Sequence, residues 1–396
     1  MTTSAQAGGG AARPQLLRAL NEQLLLKRIR QAGRCSRADL ARFSGLSKPT
    51  VSLALANLEQ AGLVHEAGQQ TGAPGRSAVL YEVRPDAGYV LGLDIGRRFI
   101  RGAVADLSGE VLARSQQPVQ ASSTSGRVAE LISLGDEVCA AADIARSSVT
   151  QTVIGSPGVY DPQYRSIVLP GGIAGWGKPA VMSELTKAFG DQLVVENDVD
   201  AATLAEREYG LGRELDTFVF VSIGTGIGMG LVVGGNLHRG AHGVAGEIAY
   251  MPISAEQGTD PGDARRRGPL EAAASGAAVV RAGRRAGMRG MVSARRVFAA
   301  AAAGDPAAAA IVAEEAGLVA RAVCAIVTVV DPELVVLGGG IGQAPGFAEA
   351  VTTELSKLAP VMPDVKVSAL GTNAVVNGCL AAGTDLAWQQ LASLVP

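Results

Sequence analysis

Four polar side chains in the second half of the sequence have the chemistry to bind a carbohydrate. Asn197 and Asp198 end a predicted strand, Glu247 follows a glycine, and Glu271 opens a predicted helix. Each sugar hydroxyl needs a hydrogen-bond donor and an acceptor, which amide and carboxylate groups supply when they converge on one cleft. Asp198 is also a candidate general base. For Glu271, offsetting the dipole of its helix is an equal alternative to ligand binding.

Two glycine-rich segments that follow predicted strands are candidates for a nucleotide site. In Gly224-Thr225-Gly226-Ile227-Gly228, backbone N–H groups can approach an anion closely because few side chains intrude. A plain hairpin turn explains the same pattern. Gly338–Gly340 can admit a flat ligand such as adenine, or can let a helix pack tightly. Both alternatives stay open at the level of sequence.

The elements that would hold these residues belong to an acidic body behind a basic head. Residues 1–85 contain eleven Lys and Arg and five Asp and Glu, a net charge of +6, whereas the remaining residues sum to −8. A basic segment joined to an acidic one is typical of a phosphate-backbone binder fused to a domain that does not bind DNA.

The head has the pattern of a winged helix-turn-helix. A first helix ends at Gly33, a second begins with the capping-box pattern Ser36–Asp39, and a third begins at Ser47 with Pro49 in its first turn. Two short strands follow, joined by a glycine- and proline-containing loop. This order favours a DNA-binding domain over the alternative, a helical protein-interaction module.

The third helix and the wing supply the side chains that can reach DNA. Polar side chains at the start of the third helix can touch phosphates and base edges in a major groove. An arginine at the wing tip can enter a narrow minor groove, although a solvated loop charge is an even alternative. The candidate DNA-binding residues are Ser47, Lys48, Thr50, Ser52 and Arg76.

The body repeats one pattern, which predicts two related lobes. Residues 89–119 and 217–240 each read as a buried strand, a glycine-containing turn, a second strand and a polar turn. Strands and helices alternate elsewhere, which is typical of an α/β fold. The domain boundaries predicted from these patterns are a flexible tail (1–14), the head (15–85), a first lobe (88–200 plus 380–396) and a second lobe (201–379).

Several classes of protein are excluded by composition. No apolar run reaches the roughly 18 residues of a membrane span, and the first residues lack the apolar centre of a signal peptide. The four cysteines lie far apart, and none of the three histidines adjoins another. We therefore expect a cytoplasmic protein with no disulfide framework, no metal site and no membrane partner.

The sequence resembles the ROK family of repressors and sugar kinases over residues 15–396, and more narrowly its xylose- or N-acetylglucosamine-repressor type. The resemblance rests on the segments LARFSGLSKPTVSLALANLEQAGLV, GAPGR, GLDIG, GSPGVYDP, GGIAGW, VENDVDAATLAE, IGTGIGMG, AGEIAY, GPLEAAAS and DPELVVLGGG. It implies a winged helix followed by a two-lobed actin-like, sugar-kinase (ribonuclease H-like) domain, in a homodimer or homotetramer. It also implies sugar binding by Asn197, Asp198, Glu247 and Glu271, with Gly172 near the sugar.

Three departures from the family pattern argue against kinase activity and zinc. Family kinases have D-x-G-G-T-K at the first phosphate hairpin, where this chain has Asp94-Ile95-Gly96-Arg97-Arg98-Phe99. Tyr250 stands where the family has a zinc-binding histidine, and residues 254–271 contain no cysteine of the zinc loop. We therefore expect no cofactor. Tyr250 either stacks on a sugar face or belongs to the core, and the core position is slightly favoured.

Together these features predict a sugar-responsive transcriptional regulator, most simply a repressor of carbohydrate-utilisation genes, that binds double-stranded operator DNA. We expect that the protein is not an enzyme and that its nucleotide site is vestigial. The residues assigned to that vestigial site are Asp94, Gly96, Gly224, Thr225, Gly226 and Gly339. The alternative is an ATP-dependent hexose kinase fused to a DNA-binding head, with Asp198 as its base.

Overall fold

The computed structural model describes residues 12–71, 77–161, 163–169, 173–253 and 261–393. Most of the tail expected over 1–14 lies outside these residues, but the first helix begins at Ala12, three residues before the expected start of the head. The candidate residues Arg76 and Gly172 also lie outside the described residues. Within the described residues, no helix is both long enough and apolar enough to cross a membrane.

The head is a winged helix-turn-helix, as predicted. Its elements are α1 (Ala12–Ala32), β1 (Cys35–Ser36), α2 (Arg37–Ser44), α3 (Lys48–Gln60), β2 (Val64–Thr71) and β3 (Ser77–Val83). Ser36 and Asp39 form the complete capping box of α2, and Gly45 ends that helix in the left-handed conformation. Ser47 caps α3, and β2 pairs antiparallel with β3 to form the wing.

The first lobe is built on a five-stranded sheet in the order β10-β7-β4-β5-β6. Its strands are β4 (Tyr89–Ile95), β5 (Phe99–Asp106), β6 (Val111–Pro118), β7 (Val149–Ser156) and β10 (Leu193–Asn197). A small hairpin joins β8 (Val159–Asp161) to β9 (Ser166–Val168). The helices are α4 (Thr124–Ala141), α5 (Pro179–Phe189) and α6 (Asp198–Tyr209).

The second sheet has the same topology, which accounts for the repeat in the sequence. Its order is β13-β12-β11-β14-β15, from β11 (Phe218–Ile223), β12 (Ile227–Val233), β13 (Asn236–Leu237), β14 (Leu334–Gly338) and β15 (Asp364–Val367). In each sheet the first strand pairs antiparallel with the second and parallel with a later strand. This arrangement confirms the two-lobed α/β fold class.

The remaining helices complete the two lobes. They are α7 (Pro261–Arg267), α8 (Pro269–Ala273), α9 (Gly276–Arg285), α10 (Ala294–Ala302), α11 (Pro306–Val330), α12 (Gly339–Gly342), α13 (Phe347–Leu355) and α14 (Ala374–Ser393). One apolar core includes α11, α13 and the faces of β11 and β14. Helix α14 packs on the first sheet and crosses the lobe boundary predicted at 379/380, so the division of the lobes stays a prediction there.

Candidate functional site

Both lobes line one cavity of about 860 Å³, which we call the interlobe cleft. It contains the four polar residues singled out from the sequence for sugar binding, Asn197, Asp198, Glu247 and Glu271. The glycine turns face the same space: the lining also includes Gly96, Arg97, Gly224, Thr225, Gly226, Gly339 and Gly340. A cavity of this size and polarity accommodates a small, hydroxylated ligand.

Asn197 and Asp198 lie at the point where β10 passes into α6. Asn197 is the N-cap residue: its Oδ1 accepts hydrogen bonds from the N–H groups of Val199 at 2.9 Å and Asp200 at 3.1 Å. Its Nδ2 donates to the carbonyl of Gly158 at 3.2 Å. The side chain is therefore fixed by the start of the helix, with its oxygen already serving as the cap. Burial is the main cause that raises the pKa of Asp198, although the N–H of Val199 and the charge of Arg97 lower it.

Glu247 and Glu271 approach the cleft from the second lobe. Burial raises the pKa of Glu247, and the negative charges of Asp198 and Glu271 add to that rise. Oε2 of Glu271 accepts the backbone N–H of Ile227 at 3.3 Å, and Oε1 faces Arg267 at 3.4 Å. Glu271 thus has a structural role in holding the β11–β12 turn, which is compatible with a second role toward a ligand.

Asp200 is a cleft residue that the sequence analysis missed. It is only 5 % exposed, and burial together with the charges of Glu196, Glu247 and Asp198 raises its pKa to about 8, with Arg239 opposing the rise. Arg239, from the second lobe, forms an ion pair with Glu196 at the end of β10. The only sequence signal was the run of alternate acids at 196, 198 and 200, which reads equally well as the acidic first turn of a helix.

The first hairpin, between β4 and β5, has two arginines in its turn. The N–H of Gly96 donates to the carbonyl of Phe99 at 3.0 Å, Arg97 faces the cleft, and Arg98 is exposed. Burial is the main cause that lowers the pKa of Arg97, with Glu271 and Asp198 opposing it. Asp94 is not in the cleft lining: it is buried and paired with Arg101 at 2.9 Å. Burial raises its pKa to about 7, and the charge of the cleft residue Asp198 adds to the rise while Arg101 opposes it, so its place in a nucleotide site stays a prediction.

The second hairpin is the short loop Gly224–Gly226 between β11 and β12. The N–H of Gly224 donates to the carbonyl of Gly226 at 2.9 Å, and its carbonyl accepts from Gly276 at 2.7 Å. A hairpin loop is common to both alternatives, so the structure does not separate them. The cleft-facing position of the turn leaves anion binding as a prediction.

Tyr250 is not a core residue, and the slightly favoured expectation of a core position was wrong. It is 45 % exposed and lines the cleft, so it is available to contact a ligand. The described residues around the cleft do not supply the side chains that the resemblance implies for zinc binding. Tyr250 supplies no imidazole, and Cys35, Cys139 and Cys379 are buried elsewhere in the fold. Residues 254–260, from the segment that would carry the zinc loop, lie outside the described residues.

Four of the five candidate DNA-binding residues lie at the start of α3, on the surface of the head. Ser47, Lys48 and Ser52 are exposed, and Thr50 is partly exposed. The hydroxyls of Ser47 and Thr50 lie 2.8 Å apart and hold each other at the start of α3. The buried side of the same helix carries Val51, Leu55 and Leu58, which fix its orientation in the head.

The part of the chain behind the winged helix, with its two lobes and polar interlobe cleft, is the part that identifies the family. A model described as "ROK family" matches residues 90–383, and this chain belongs to that family. A model of the MarR family matches residues 20–66, within the head.

The relatives include regulators and kinases. The chain is 29% identical to the xylose repressor of Bacillus subtilis over 59% of this chain and 60% of that protein. It is 30% identical to the glucokinase of Thermotoga maritima over 48% of this chain and 64% of that protein. These matches thus span less than two thirds of either relative. The crystal structure of a ROK family transcriptional regulator, a homologue of the E. coli MLC protein, has a TM-score of 0.78 at 25% identity, covering 96% of this chain and 98% of that chain.

Proposed function

We propose that this protein is a sugar-responsive, DNA-binding repressor of carbohydrate-utilisation genes. The observation that carries the proposal is the combination, in one chain, of a winged helix-turn-helix with a cleft in which Asn197, Asp198, Glu247 and Glu271 come together. The similarity to a xylose repressor and to a ROK family transcriptional regulator supports it.

The sugar acts as an effector in this proposal, and the head binds double-stranded operator DNA. Two copies of the chain would present two α3 helices to half-sites about 34–36 Å apart, or a multiple of that distance. The sugar changes operator affinity only if it binds the two arrangements of the lobes with different affinity, and a near-complete switch needs about 5.5 kcal/mol of that difference. We propose a homodimer or homotetramer because the resemblance to the ROK family implies one.

The chain is further proposed not to phosphorylate its sugar. Arg97 and Arg98 replace the residues whose small size and hydroxyl group receive ATP phosphates in the family kinases, and Asp94 is engaged with Arg101. Asp198 is retained at the cleft, which is the observation that favours the kinase alternative. Incubation with ATP, Mg²⁺ and a sugar distinguishes the two, since turnover at ordinary kinase rates would establish the kinase.

The decisive experiment is a thermal-shift screen of the full chain against D-xylose, D-glucose, N-acetyl-D-glucosamine, N-acetyl-D-mannosamine and their phosphates. A ligand at 100 times its Kd stabilises the folded state by about 2.7 kcal/mol, which raises the Tm by several degrees. We expect Asp198→Asn to abolish the shift, and the exposed Asp191→Asn to retain it. A Tm that no sugar raises would refute the sugar-binding half of the proposal.

A further inference from the structure

Helix α6 carries the cleft residues and extends away from the cleft. Asn197 caps its first turn and Asp198 is its first residue, so a ligand held by either residue acts directly on the end of this helix. The opposite end is fixed as well. The carboxylate of Glu206 accepts the backbone N–H of Leu211 at 3.0 Å, and its other oxygen accepts the hydroxyl of Ser368. The helix is thus anchored by hydrogen bonds at both ends.

Helices α6 and α14 are in contact through their backbones. A Cβ atom on Gly378 of α14 would stand only 1.6 Å from the carbonyl oxygen of Ala201 in α6. The neighbouring Cys379 shares a small buried cluster with Ala201 and Val153. Because no side chain separates the helices at this crossing, a displacement of α6 cannot be absorbed by a change of rotamer and must move α14.

The far end of α14 is attached to the DNA-binding head. Trp388 is buried, and its Nε1 donates to the carbonyl of Leu107 at 2.9 Å. Arg30, in the last turn of α1, lies 5.5 Å from the centre of the Trp388 ring and binds Asp385 at 2.7 Å. One apolar core runs from α1 and α3 across to α14 and the first sheet, so the head and α14 share buried surface as well as these polar contacts.

The chain that leaves the head is fixed at the same place. The N–H of Leu107 donates to the carbonyl of Pro85 at 3.0 Å, just after the last strand of the head. Leu107 therefore joins Trp388 through its carbonyl and the exit of the head through its N–H. Among the described residues, the head therefore contacts the first lobe through α1 on α14 and through Pro85 on Leu107, and Leu107 is itself bonded to Trp388 of α14.

We propose that α6, α14 and α1 form a continuous mechanical link that transmits occupancy of the interlobe cleft to the DNA-binding head. Its two joints are the Ala201–Gly378 crossing and the contact of Arg30 with Asp385 and Trp388. The biological meaning of the link rests on the proposed function, since that function assigns sugar to one end and DNA to the other. The link itself is a coupling between elements, and perturbing one element must be detectable in the others.

The test is native-state hydrogen exchange on the full chain, without sugar or DNA. Asn197→Ala removes the cap of α6, and the loss of one cap accelerates exchange in the first turns of the helix about fivefold. The link predicts that exchange also rises at least about twofold in α14 and α1.

Ser123→Ala is the matched control, because Ser123 caps α4 of the same lobe through the N–H of Gly126 at 3.1 Å. It should accelerate exchange in α4 and leave α1 unchanged, and α11 reports any global destabilisation in both variants. An equal response of α1 to the two variants would overturn the link.

The second joint is tested by reversing one charge. Asp385→Arg places two arginines together, and in combination with Asn197→Ala it should abolish the response of α1 while the response of α6 remains. The matched control is Asp136→Arg, since Asp136 forms an equally exposed ion pair with Arg146 in the first lobe, away from the head. The charge-swapped pair Arg30→Asp with Asp385→Arg restores the ion pair but not the contact of Arg30 with Trp388, so it should recover only part of the response. A response of α1 that survives Asp385→Arg would refute this joint. Neither sugar nor DNA enters these measurements, so failure of the link and failure of the sugar screen are separate results.

Discussion

Gly226 lies so close to Glu271 that a Cβ atom on the glycine would stand 2.5 Å from Oε2 of the carboxylate. The same oxygen accepts the N–H of Ile227, the next residue in the turn. The glycine is therefore required for Glu271 to reach its place at the cleft. The glycine turn that the sequence suggested for phosphate thus positions a carboxylate in this fold.

Gly226→Ala is expected to weaken sugar binding by about 1–3 kcal/mol, because the new methyl group must displace the carboxylate of Glu271. The matched control is Gly340→Ala. Gly340 also lines the cleft, but a Cβ atom there would meet nothing within 4 Å. Calorimetric titration with the sugar identified by the thermal-shift screen measures both variants. Equal affinities for the two would show that the position of Glu271 does not matter for binding.

The buried carboxyl of Asp200 makes the stability of the protein depend on pH. Its pKa is raised to about 8 in the folded state, so the folded protein retains a proton that the unfolded chain has lost above its ordinary pKa near 4. The free energy of unfolding therefore falls as the pH rises from about 4 to about 8. The charged groups that face Asp200 are Glu196, Glu247, Asp198 and Arg239. Burial also raises the pKa of Asp94 to about 7, so Asp94 lowers the free energy of unfolding in the same direction as the pH rises.

Asp200→Asn should remove this dependence, because the amide mimics the protonated acid at every pH. We expect the free energy of unfolding of the variant to exceed that of the wild type by about 1–3 kcal/mol at pH 8.5. This is less than the value of about 1.4 kcal/mol for each unit of pKa shift, because the neighbouring carboxyls share the proton. The difference should vanish near pH 4. Urea unfolding at a series of pH values measures it, with the exposed Asp136→Asn as control. A constant difference across the series would contradict the assignment.

Local signals in the sequence were sufficient to predict the head and the repeated pattern of the body. The capping box of Ser36 and Asp39 and the N-cap at Ser47 depend on residues three positions apart, so their spacing alone identifies the helix starts. The two lobes were visible because each repeats one pattern of strands and turns. Asn197 and Asp198 could be singled out as candidates because they end a predicted strand.

Features that depend on the pairing of distant segments were not predictable. The ion pair of Asp94 with Arg101 follows from the register of β4 on β5, which places these residues opposite each other. Tyr250 was misplaced because its exposure depends on the cleft between the lobes. The crossing of Gly378 on Ala201 joins residues that are 177 positions apart in the sequence. Taken alone, a glycine in a helix indicates only a lower helix propensity.

Lys48 should contribute to DNA affinity through a phosphate contact. Lys48→Ala is expected to weaken binding to duplex DNA several-fold across sequences and to reduce the slope of log K against log [salt] by about 0.9. Lys357→Ala is the control, since Lys357 is exposed on the second lobe and pairs with Glu354. Fluorescence anisotropy at four salt concentrations gives both quantities. Unchanged affinity and slope for Lys48→Ala would remove the start of α3 from the interface.

The first hairpin should exclude ATP because Arg97 and Arg98 obstruct the close backbone approach that phosphates need. The wild-type protein is expected to show no saturable ATP binding up to about 1 mM. A Kd of about 1 mM would correspond to a binding free energy of about −4.1 kcal/mol. The double substitution Arg97→Gly with Arg98→Thr introduces the small residue and the hydroxyl of the family kinases, and it should increase ATP affinity at least about tenfold. Calorimetry with ATP and Mg²⁺ measures both proteins, and Arg265→Gly, outside the cleft lining, is the control for loss of positive charge. Micromolar ATP binding by the wild type would contradict the obstruction and reinstate the kinase alternative, because the two arginines would then be serving as phosphate ligands.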